Sequence, residues 1–335
     1  MKRILVPGGA GFIGSHTLLA LKAAGYEPLV LDNLGNGHRD AVLDTRLIEG
    51  DIRDSALLDS IFANENIDAV IHFAAFIEAG ESVRDPMKFY DNNFAGSLNL
   101  VKAMNRHGVR KIVFSSTAAV YGESGEARLT EDLPKLPINP YGQTKWATEC
   151  VLRDSAAADG LQAIALRYFN AAGADPQGRL GERHDPETHL IPLVLQAAAG
   201  MREAISMFGT DYDTPDGTCV RDYIHVADLA QAHVAALEHL FRLDDSPERP
   251  ENGFYDAFNL GNGAGFSVRE VVDTCRAVTG KEFTVKEEAR RPGDPATLIA
   301  DATRAKSVLG WKPQIPSLED IISHAWHFMT STNNR

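Results

Sequence analysis

A tyrosine and a lysine four positions apart are the residues of this sequence whose types and spacing most suggest chemistry. Tyr141 and Lys145 bracket the segment Tyr-Gly-Gln-Thr-Lys, and residues four apart share one face of a helix. A cation beside a phenol favours the phenolate, so we expect the pKa of Tyr141 to fall from about 10 toward neutrality. Such a phenolate is a general base suited to an alcohol. Because removing a proton from an alcohol is half of a hydride transfer, the pair predicts a reaction that uses a nicotinamide.

Three hydroxyl residues precede the pair at the end of a predicted strand. The apolar residues 112–114 run into Ser115, Ser116 and Thr117. Open α/β sheets bind their ligands at the carboxyl ends of strands. We therefore expect Thr117 to share a hydrogen bond with a substrate hydroxyl and with Tyr141, the alternative being a helix or turn cap.

The N-terminus provides a candidate site for the nicotinamide cofactor. Residues 4–6 predict a strand and residues 15–24 predict a helix. Between this strand and this helix lie Gly8, Gly11 and Gly14, spaced three residues apart. At this spacing the first glycine permits a tight turn, the second lets backbone approach a pyrophosphate, and the third lets helix pack on strand. The exposed N–H groups and the helix dipole then favour an anion.

The strands that follow add acidic and small residues. Residues 27–32 predict a second strand ending at Asp32, whose carboxylate is expected to accept both hydroxyls of an adenosine ribose. A carboxylate there repels a 2′-phosphate, so we expect NAD rather than NADP; a turn or cap acid is the alternative. Asp51 ends another strand and is expected to meet the adenine. Residues 69–75 predict a fourth buried strand, with small residues close to the cofactor.

Composition narrows the class of protein. The 335 residues are 44% hydrophobic and 24% charged, typical of a globular chain with two domains or one domain and a lobe. A net charge of −13 argues against nucleic acid as a partner. The absence of a long apolar run or of a signal peptide argues against a membrane partner. Cys150, Cys219 and Cys275 have neither disulfide nor metal-site spacing, so we expect no metal and a cytosolic, reduced protein.

The order of predicted strands and helices defines the fold class. It predicts an α/β protein with a Rossmann-type doubly wound parallel sheet and a smaller C-terminal α/β substrate lobe. Residues 1–169 are expected to form the NAD-binding domain, with residues 220–261 returning to it. Residues 170–219 and 262–335 are expected to form the lobe, and residues 244–253 a polar surface linker. The ligand site is expected in the cleft between the two.

The order of the motifs resembles that of the extended short-chain dehydrogenases/reductases. The segments that carry the resemblance are the glycine turn, Asp32, residues 50–52, residues 114–122, Tyr141 with Lys145, residues 167–170, residues 217–226 and residues 291–294. The similarity runs from Ile4 to about His327. The Arg221 and Arg291 segments, with Asn170, narrow it to the nucleotide-sugar epimerases, and in particular to those that interconvert UDP-galactose and UDP-glucose.

The resemblance implies a reaction cycle. Tyr141, assisted by Thr117, takes the proton of the sugar 4-hydroxyl while the hydride of carbon 4 passes to tightly held NAD. The 4-keto sugar turns about its pyrophosphate linkage, the hydride returns to the opposite face, and Tyr141 returns the proton. Lys145 holds the nicotinamide ribose and lowers the pKa of Tyr141. No external cofactor is consumed.

The resemblance also implies two sets of contacts. The expected cofactor contacts are Gly8, Gly11, Phe12, Ile13, Gly14, Asp32, Asn33, Asp51, Ile52, Phe73, Ala74, Ala75, Asn92, Ser115, Tyr141, Lys145 and Phe169. The expected UDP-sugar contacts are Thr117, Tyr141, Asn170, Leu190, Phe208, Arg221, Arg291, Asp294 and Leu298. One guanidinium group can donate two parallel hydrogen bonds to phosphate oxygens. Phe208 is expected to pack on uracil. The alternatives are an ion pair of Arg221 with Asp222 and a core role for Phe208.

Three positions depart from the family's pattern. Pro7 replaces the Thr or Ser usual before the first glycine and removes a backbone donor. Ile77 stands where many relatives have a Lys near the cofactor. Leu298 stands beside the sugar, where Tyr accompanies restriction to glucose and galactose and a small residue accompanies acceptance of N-acetyl sugars. UDP-N-acetylglucosamine, UDP-xylose and UDP-arabinose are therefore alternative substrates.

Other activities are compatible with the same fold. A nucleotide-sugar dehydratase needs an acid–base pair directly after the strand hydroxyls, where this chain has Ala118 and Ala119. A UDP-glucuronate epimerase or decarboxylase needs a cationic or hydroxyl-rich pocket, and no second basic cluster accompanies Arg221 and Arg291. A non-enzymatic NAD-binding sensor has no need of the Tyr and Lys pair. By resemblance we also expect a homodimer, formed through the helices of residues 91–106 and 146–158.

Overall fold

A computed structural model describes residues 1–245, 252–291 and 294–332 of the chain. The β-strands within these ranges are β1 Arg3–Pro7, β2 Glu27–Asp32, β3 Arg46–Glu49, β4 Ala69–His72, β5 Lys111–Ser115, β6 Arg128–Leu129, β7 Gln162–Tyr168, β8 Asn170–Ala172, β9 Ala204–Phe208, β10 Val220–Arg221, β11 Tyr223–His225, β12 Phe254–Leu260, β13 Phe266–Ser267, β14 Thr284–Glu288 and β15 Thr297–Ala300. The α-helices are α1 Phe12–Ala23, α2 Ser55–Asn64, α3 Ala79–Arg84, α4 Pro86–Phe89, α5 Gly96–Arg106, α6 Pro140–Asp159, α7 Leu190–Ala198, α8 Val226–Arg242, α9 Val268–Thr279 and α10 Leu318–Thr332. Residues 246–251 of the predicted linker, and Pro292 and Gly293 of the 291–294 segment, lie outside the described residues.

Seven strands form one parallel sheet in the order β12-β7-β5-β4-β1-β2-β3. From β1 the chain builds β2 and β3 on one side and then returns to add β4, β5, β7 and β12 on the other. The strand order therefore reverses between β1 and β4, which is where sheets of this type bind ligands. The predicted Rossmann-type fold is confirmed.

The sheet has an apolar core on each face. Successive side chains of a strand point to opposite faces, so Ile4 and Val6 of β1 join one cluster and Leu5 joins the other. The first cluster also contains side chains of α1 and α8, among them Leu21 of α1. The second cluster also contains side chains of α2, α5 and α6, among them Leu100 of α5. Strands buried on both faces read as continuous apolar runs, which is why the sequence revealed them.

The smaller lobe has a third core between helices α7, α9 and α10, which includes Val194, Val271 and Ile321. Its strands form three small sheets, β13-β10-β15-β6, β11-β8 and β14-β9. The return to the first domain was predicted at residue 220. In the structure β10 pairs with β13 and β15 of the first small sheet, whereas Ile224 of β11 and helix α8 contribute to the core of the first domain and β12 joins its sheet. Trp311, predicted to lie in the lobe, packs in the core of the first domain.

Two further features refine the predicted organisation. The helix predicted over residues 91–106 begins earlier, because a π-helical stretch, Tyr90–Ala95, joins α4 to α5. No helix in the described part of the chain is both long enough and apolar enough to cross a membrane.

Candidate active site

Helix α6 carries the tyrosine and the lysine. Its first turn is built by Asn139, whose side chain accepts a hydrogen bond from the Gly142 N–H at 2.8 Å, and by Pro140 at the first helical position. Both are residue types that favour a helix start. The helix therefore begins one residue before Tyr141, and Lys145 follows one turn later. The Tyr141 N–H also donates to the Ser82 hydroxyl at 3.1 Å, which fixes this end of the helix against α3.

Lys145 is buried against the end of strand β5. Its Nζ donates to the carbonyl oxygen of Ser115 at 2.8 Å and lies 4.9 Å from the centre of the Phe114 ring. Burial lowers the pKa of Lys145 to about 7, opposed by the negative charge of Glu149 one helical turn further along. The ammonium is therefore poised between its charged and neutral forms near neutral pH.

The Tyr141 side chain is half-buried, and its partial removal from water changes its titration. Burial raises the pKa of Tyr141 to about 12, partly opposed by a hydrogen bond with Thr117 and reinforced by the negative charge of Glu78. The expected fall toward neutrality is therefore wrong for the chain by itself. The physical reason is that burial penalises the phenolate, while the neighbouring Lys145 is itself inclined to lose its charge.

A buried ion pair supports α6 from behind. Glu149, two turns after Tyr141, contacts the Arg167 guanidinium with a closest separation of 2.5 Å. The same carboxylate accepts from the Ser116 hydroxyl at 2.5 Å and from the Tyr255 hydroxyl at 2.8 Å. Because its charged members are paired and hydrogen-bonded, the network is compatible with burial. It joins α6 to strands β7 and β12 and to the residue beside Thr117.

The glycine turn forms one wall of a cavity, which we call the N-terminal cavity. Gly8 has φ +81°, and a Cβ on it would lie 2.4 Å from the Ala74 nitrogen. A Cβ on Gly14 would lie 2.3 Å from the Gly8 oxygen. A Cβ on Gly11 would lie 3.4 Å from its nearest neighbour, the Gly8 oxygen. Gly11 is the N-cap residue of α1 and places no side chain over the helix N-terminus. Free N–H groups at a helix start are suited to a phosphate.

Two carboxylates lie further along the same cavity. Asp32 accepts hydrogen bonds from the Ala10 N–H at 2.9 Å and the Leu34 N–H at 2.8 Å, while its burial raises its pKa. Asp51 is bound by Arg53, whose hydrogen bonds hold the pKa of Asp51 well below its usual range. Pro7 cannot donate, but its carbonyl accepts from the Phe73 N–H at 2.8 Å and the Ala74 N–H at 3.0 Å.

The structure brings the predicted cofactor residues together. Every residue assigned above to cofactor contact lines the N-terminal cavity, together with Thr117, Asn170 and Ile77. Sequence reasoning missed several other lining residues, among them Asn36, Gly37, His38, Tyr168, Arg183, His184 and His189. Residues 36–38 could have been recognised as cavity residues from their position just after strand β2. Residues 183–189 carried no such signal, because they lie in a polar loop far along the chain.

A second cavity lies in the smaller lobe, and we call it the lobe cavity. Of the residues assigned to the UDP-sugar, those that line it are Asn170, Leu190, Phe208, Arg221, Arg291 and Asp294. Asn170, Ala171 and His189 line both cavities, so the two adjoin there. Arg202 also lines the lobe cavity and was missed, because nothing in its local sequence marks it.

The two predicted phosphate ligands are held differently. Arg221 donates to the Pro295 carbonyl at 2.8 Å and lies 3.3 Å from the Asp294 carboxylate. Its ion pair is thus with Asp294 rather than with the adjacent Asp222, which instead accepts backbone N–H groups. The Arg291 guanidinium lies over the Phe208 ring, 3.8 Å from its centre.

Leu298 lies apart from the other predicted substrate residues. It packs with Phe169 and Trp146 against the cluster of Val120, Tyr121 and Leu129. Among the described residues, those that line the two cavities do not include Leu298. It therefore shares its apolar cluster with Phe169, which does line the N-terminal cavity.

The chain belongs to the NAD dependent epimerase/dehydratase family, whose pattern matches residues 4–261. A UDP-glucose 4-epimerase of Halalkalibacterium halodurans is 54% identical over 97% of this chain and 95% of its own length. A solved UDP-glucose 4-epimerase of Brucella ovis in complex with NAD is 48% identical, with a TM-score of 0.93 over 98% of both chains. One of Bifidobacterium longum in complex with NAD+ and UDP is 40% identical, with a TM-score of 0.91 over 99% of both chains. The resemblance to the extended short-chain dehydrogenases/reductases is thereby confirmed.

Proposed function

We propose that this chain interconverts UDP-galactose and UDP-glucose by reversible oxidation at carbon 4 of the sugar, with NAD bound throughout. The observation that carries this proposal is that the two cavities adjoin and share lining residues. The N-terminal cavity extends from the glycine turn to Tyr141 and Lys145, and it adjoins the lobe cavity at Asn170. A dinucleotide in the first and a nucleoside diphosphate in the second bring a nicotinamide and a sugar to the same phenol.

The residues of the N-terminal cavity suit NAD. Gly8 and Gly14 leave no room for a Cβ, Gly11 leaves space in front of the helix N-terminus, and Asp32 presents a buried carboxylate. These features match a pyrophosphate at the helix start and a ribose at the acid. NAD held by these residues would supply the hydride acceptor and donor for carbon 4 of the sugar and, in its oxidised form, a positive charge.

Tyr141 is the proposed acid and base. In the chain alone its pKa is about 12, so forming a phenolate depends on added positive charge in the cavity. Lys145 supplies part of that charge when it is protonated. The hydrogen bond from Thr117 to the phenol oxygen helps to hold the phenolate and leads to the place of the sugar 4-hydroxyl.

The lobe cavity is the proposed site of the UDP group. Arg221 and Arg291 carry the guanidinium groups for the two phosphates. Asp294 orients Arg221 through their ion pair and so acts on the phosphate through that side chain. Phe208 offers a ring for the uracil, with Arg291 on its other side.

The same site also determines which UDP-sugars the chain accepts. Leu298 packs against the same apolar cluster as Phe169, and a leucine there leaves more room than a tyrosine. This supports acceptance of UDP-N-acetylglucosamine or a UDP-pentose in addition to the hexoses. A dehydratase is disfavoured, because Ala118 and Ala119 form the short helical turn after Thr117 and carry no acid or base. A non-enzymatic sensor is disfavoured by the half-buried Tyr141 and the buried Lys145, which line the same cavity.

The test is a substrate panel without added cofactor. Purified protein is incubated separately with UDP-galactose, UDP-N-acetylglucosamine, UDP-xylose and UDP-glucuronate, and the epimers are separated by chromatography. We expect UDP-galactose to give UDP-glucose. Conversion of UDP-glucuronate alone would favour the rival epimerase or decarboxylase, and conversion of no sugar would favour the sensor.

A homodimer and a cytosolic location complete the proposal. Leu98 of α5 and Val151 of α6 are partly exposed apolar residues on the two helices expected to pair. The three cysteines are free, as in a reducing compartment. Sedimentation at micromolar concentration tests the dimer, and a purely monomeric boundary would contradict it.

A further inference from the structure

An ion pair joins the loop before helix α7 to the loop after strand β2. The two terminal nitrogens of Arg183 donate hydrogen bonds to the two carboxylate oxygens of Asp40, at 2.9 and 2.8 Å. The partners are 143 positions apart in the chain. Arg183 belongs to the segment between β8 and α7, and Asp40 lies in the short helical turn Arg39–Val42 of the first domain. The proposed epimerase chemistry uses neither side chain.

Two further contacts hold the same segment against the glycine turn. The Nε2 of His38 donates to the carbonyl oxygen of Arg183 at 3.0 Å, and the His38 N–H donates to the carbonyl oxygen of Ala10 at 3.0 Å. The ring of His184 lies edge-on to that of Phe12, the first residue of α1, with 6.5 Å between the ring centres. Residues 183 and 184 are therefore attached to the first domain at three points, counting the ion pair.

These contacts lie along the N-terminal cavity. Phe12, His38, Arg183 and His184 all line it. The side chain of Asp40 is 72% exposed, whereas that of Arg183 is 31% exposed. The ion pair therefore stands at the solvent edge of the cavity, near the helix N-terminus that is suited to a pyrophosphate.

We propose that Arg183 and Asp40 form a clasp at the rim of the N-terminal cavity, and that this clasp slows the release of NAD. The inference rests on the proposed function, in which NAD occupies this cavity and stays bound from one cycle to the next. A dinucleotide between the glycine turn and residues 183–184 leaves only after these contacts separate. The clasp acts on the rate of cofactor release and not on the hydride or proton steps.

The chemistry of the pair sets the size of the effect. The Arg183 guanidinium holds the pKa of Asp40 below its usual range, so the carboxylate is charged at neutral pH. Two parallel hydrogen bonds make this a strong form of ion pair. Pairs this exposed nevertheless contribute modestly and are screened by salt. We therefore expect breaking the pair to change the release rate about two- to fivefold, and less in concentrated salt.

A direct contact of Arg183 with the phosphates of NAD is the competing explanation. In that case Asp40 competes with the phosphates for the guanidinium and weakens the hold on NAD. In the clasp, Asp40 strengthens that hold. The variant Asp40→Asn therefore separates the two, because it speeds the release of NAD in a clasp and slows it if Arg183 binds the phosphates.

The experiment follows the exchange of NAD in the purified, NAD-containing protein against an excess of carbon-14-labelled NAD, with no UDP-sugar present. Asp40→Asn and Arg183→Gln are each expected to raise the exchange rate about two- to fivefold. The double variant is expected to raise it no further, because both substitutions break the same contact. Asp40→Arg sets two guanidinium groups against each other and is expected to speed exchange more. Adding Arg183→Asp to it reverses the pair and is expected to return the rate toward the wild-type value.

The matched control is Asp59→Asn, which breaks a comparably exposed ion pair with Arg106 and is expected to leave the exchange rate unchanged. Three results would overturn the clasp and leave the proposed function intact: unchanged or slower exchange in Asp40→Asn, additive effects of the two single substitutions, or no recovery in the reversed pair. A purified protein that neither contains nor binds NAD would overturn both.

Discussion

The Nζ of Lys145 donates a hydrogen bond to the main-chain oxygen of Ser115 across 2.8 Å. This contact joins the helix that carries Tyr141 to the strand that leads into Thr117. It places a buried, titratable cation beside the phenol without a direct ion pair. The proposed catalytic residues are thus positioned by one helix–strand contact, and the charge of Lys145 is available to the site.

Replacing Lys145 with Met removes that charge while keeping most of the side chain's volume. We expect kcat to fall on the order of 100-fold, because the phenolate of Tyr141 loses electrostatic support. Lys145→Arg, which keeps a charge in a different shape, is the comparison variant. The measurement is kcat for UDP-galactose with saturating substrate, and an unchanged kcat in Lys145→Met would contradict the assigned role.

The buried His72 predicts a loss of stability in acid. Burial, reinforced by the charge of Lys145, lowers the pKa of His72 to about 3, from the ordinary histidine value of 6.5. Between these values the unfolded chain binds a proton that the folded chain does not. His72 therefore leaves the free energy of unfolding undiminished above pH 6.5. As the pH is lowered below 6.5, this one group reduces the free energy of unfolding by up to about 1.4 kcal/mol per pH unit.

The His72→Gln variant isolates that contribution. It cannot take up the proton on unfolding, so its stability is expected to depend less steeply on pH between 4 and 6.5, even if it is less stable at pH 7. Urea unfolding at a series of pH values measures both slopes. Equal slopes for variant and wild type would show that His72 does not titrate as described.

Arg221 is expected to act mainly in binding. Arg221→Ala removes a charge-assisted contact with phosphate and leaves Asp294 without its partner, so KM for UDP-galactose is expected to rise about 10- to 100-fold. Arg221→Lys keeps the charge but loses the paired donors, and its KM is expected to lie between the two. Initial rates over a range of substrate concentrations give the values. A fall in kcat with no change in KM would contradict a binding role.

Leu298 is expected to affect sugar choice through the apolar cluster that it shares with Phe169. A tyrosine at this position adds bulk to the cluster on which Phe169 also packs, and we expect it to reduce the space for a bulky substituent on the sugar. Leu298→Tyr is therefore expected to lower kcat/KM for UDP-N-acetylglucosamine by more than that for UDP-galactose. The ratio of the two values measures the effect, and equal losses would place the determinant elsewhere.

Much of the fold could be read from the sequence because buried parallel strands leave long apolar runs. The glycine turn, the acid at the end of β2 and the Tyr and Lys pair sit within such local patterns, so their approximate places followed. The place of β10 in a small sheet did not follow, since it depends on which distant strands β10 meets. Strand pairing between distant segments leaves no trace in local periodicity.

The electrostatics of the site could not be predicted from spacing alone. Tyr141 and Lys145 share a helix face as expected, yet burial acts on both and moves the pKa of the phenol upward. The partner of Arg221 was equally hidden, because Asp294 lies 73 residues away along the chain. Burial and long-range pairing are properties of the folded chain, and they set the charges at this site.

The most direct test of the account is the Tyr141→Phe variant, assayed with UDP-galactose and no added cofactor. Its NAD content is measured on the same sample, so that loss of chemistry is separated from loss of cofactor. We predict that epimerisation falls by about 10³-fold or more, because the proton acceptor is gone, while NAD remains bound at the wild-type level. Wild-type turnover in this variant would contradict the central role of Tyr141.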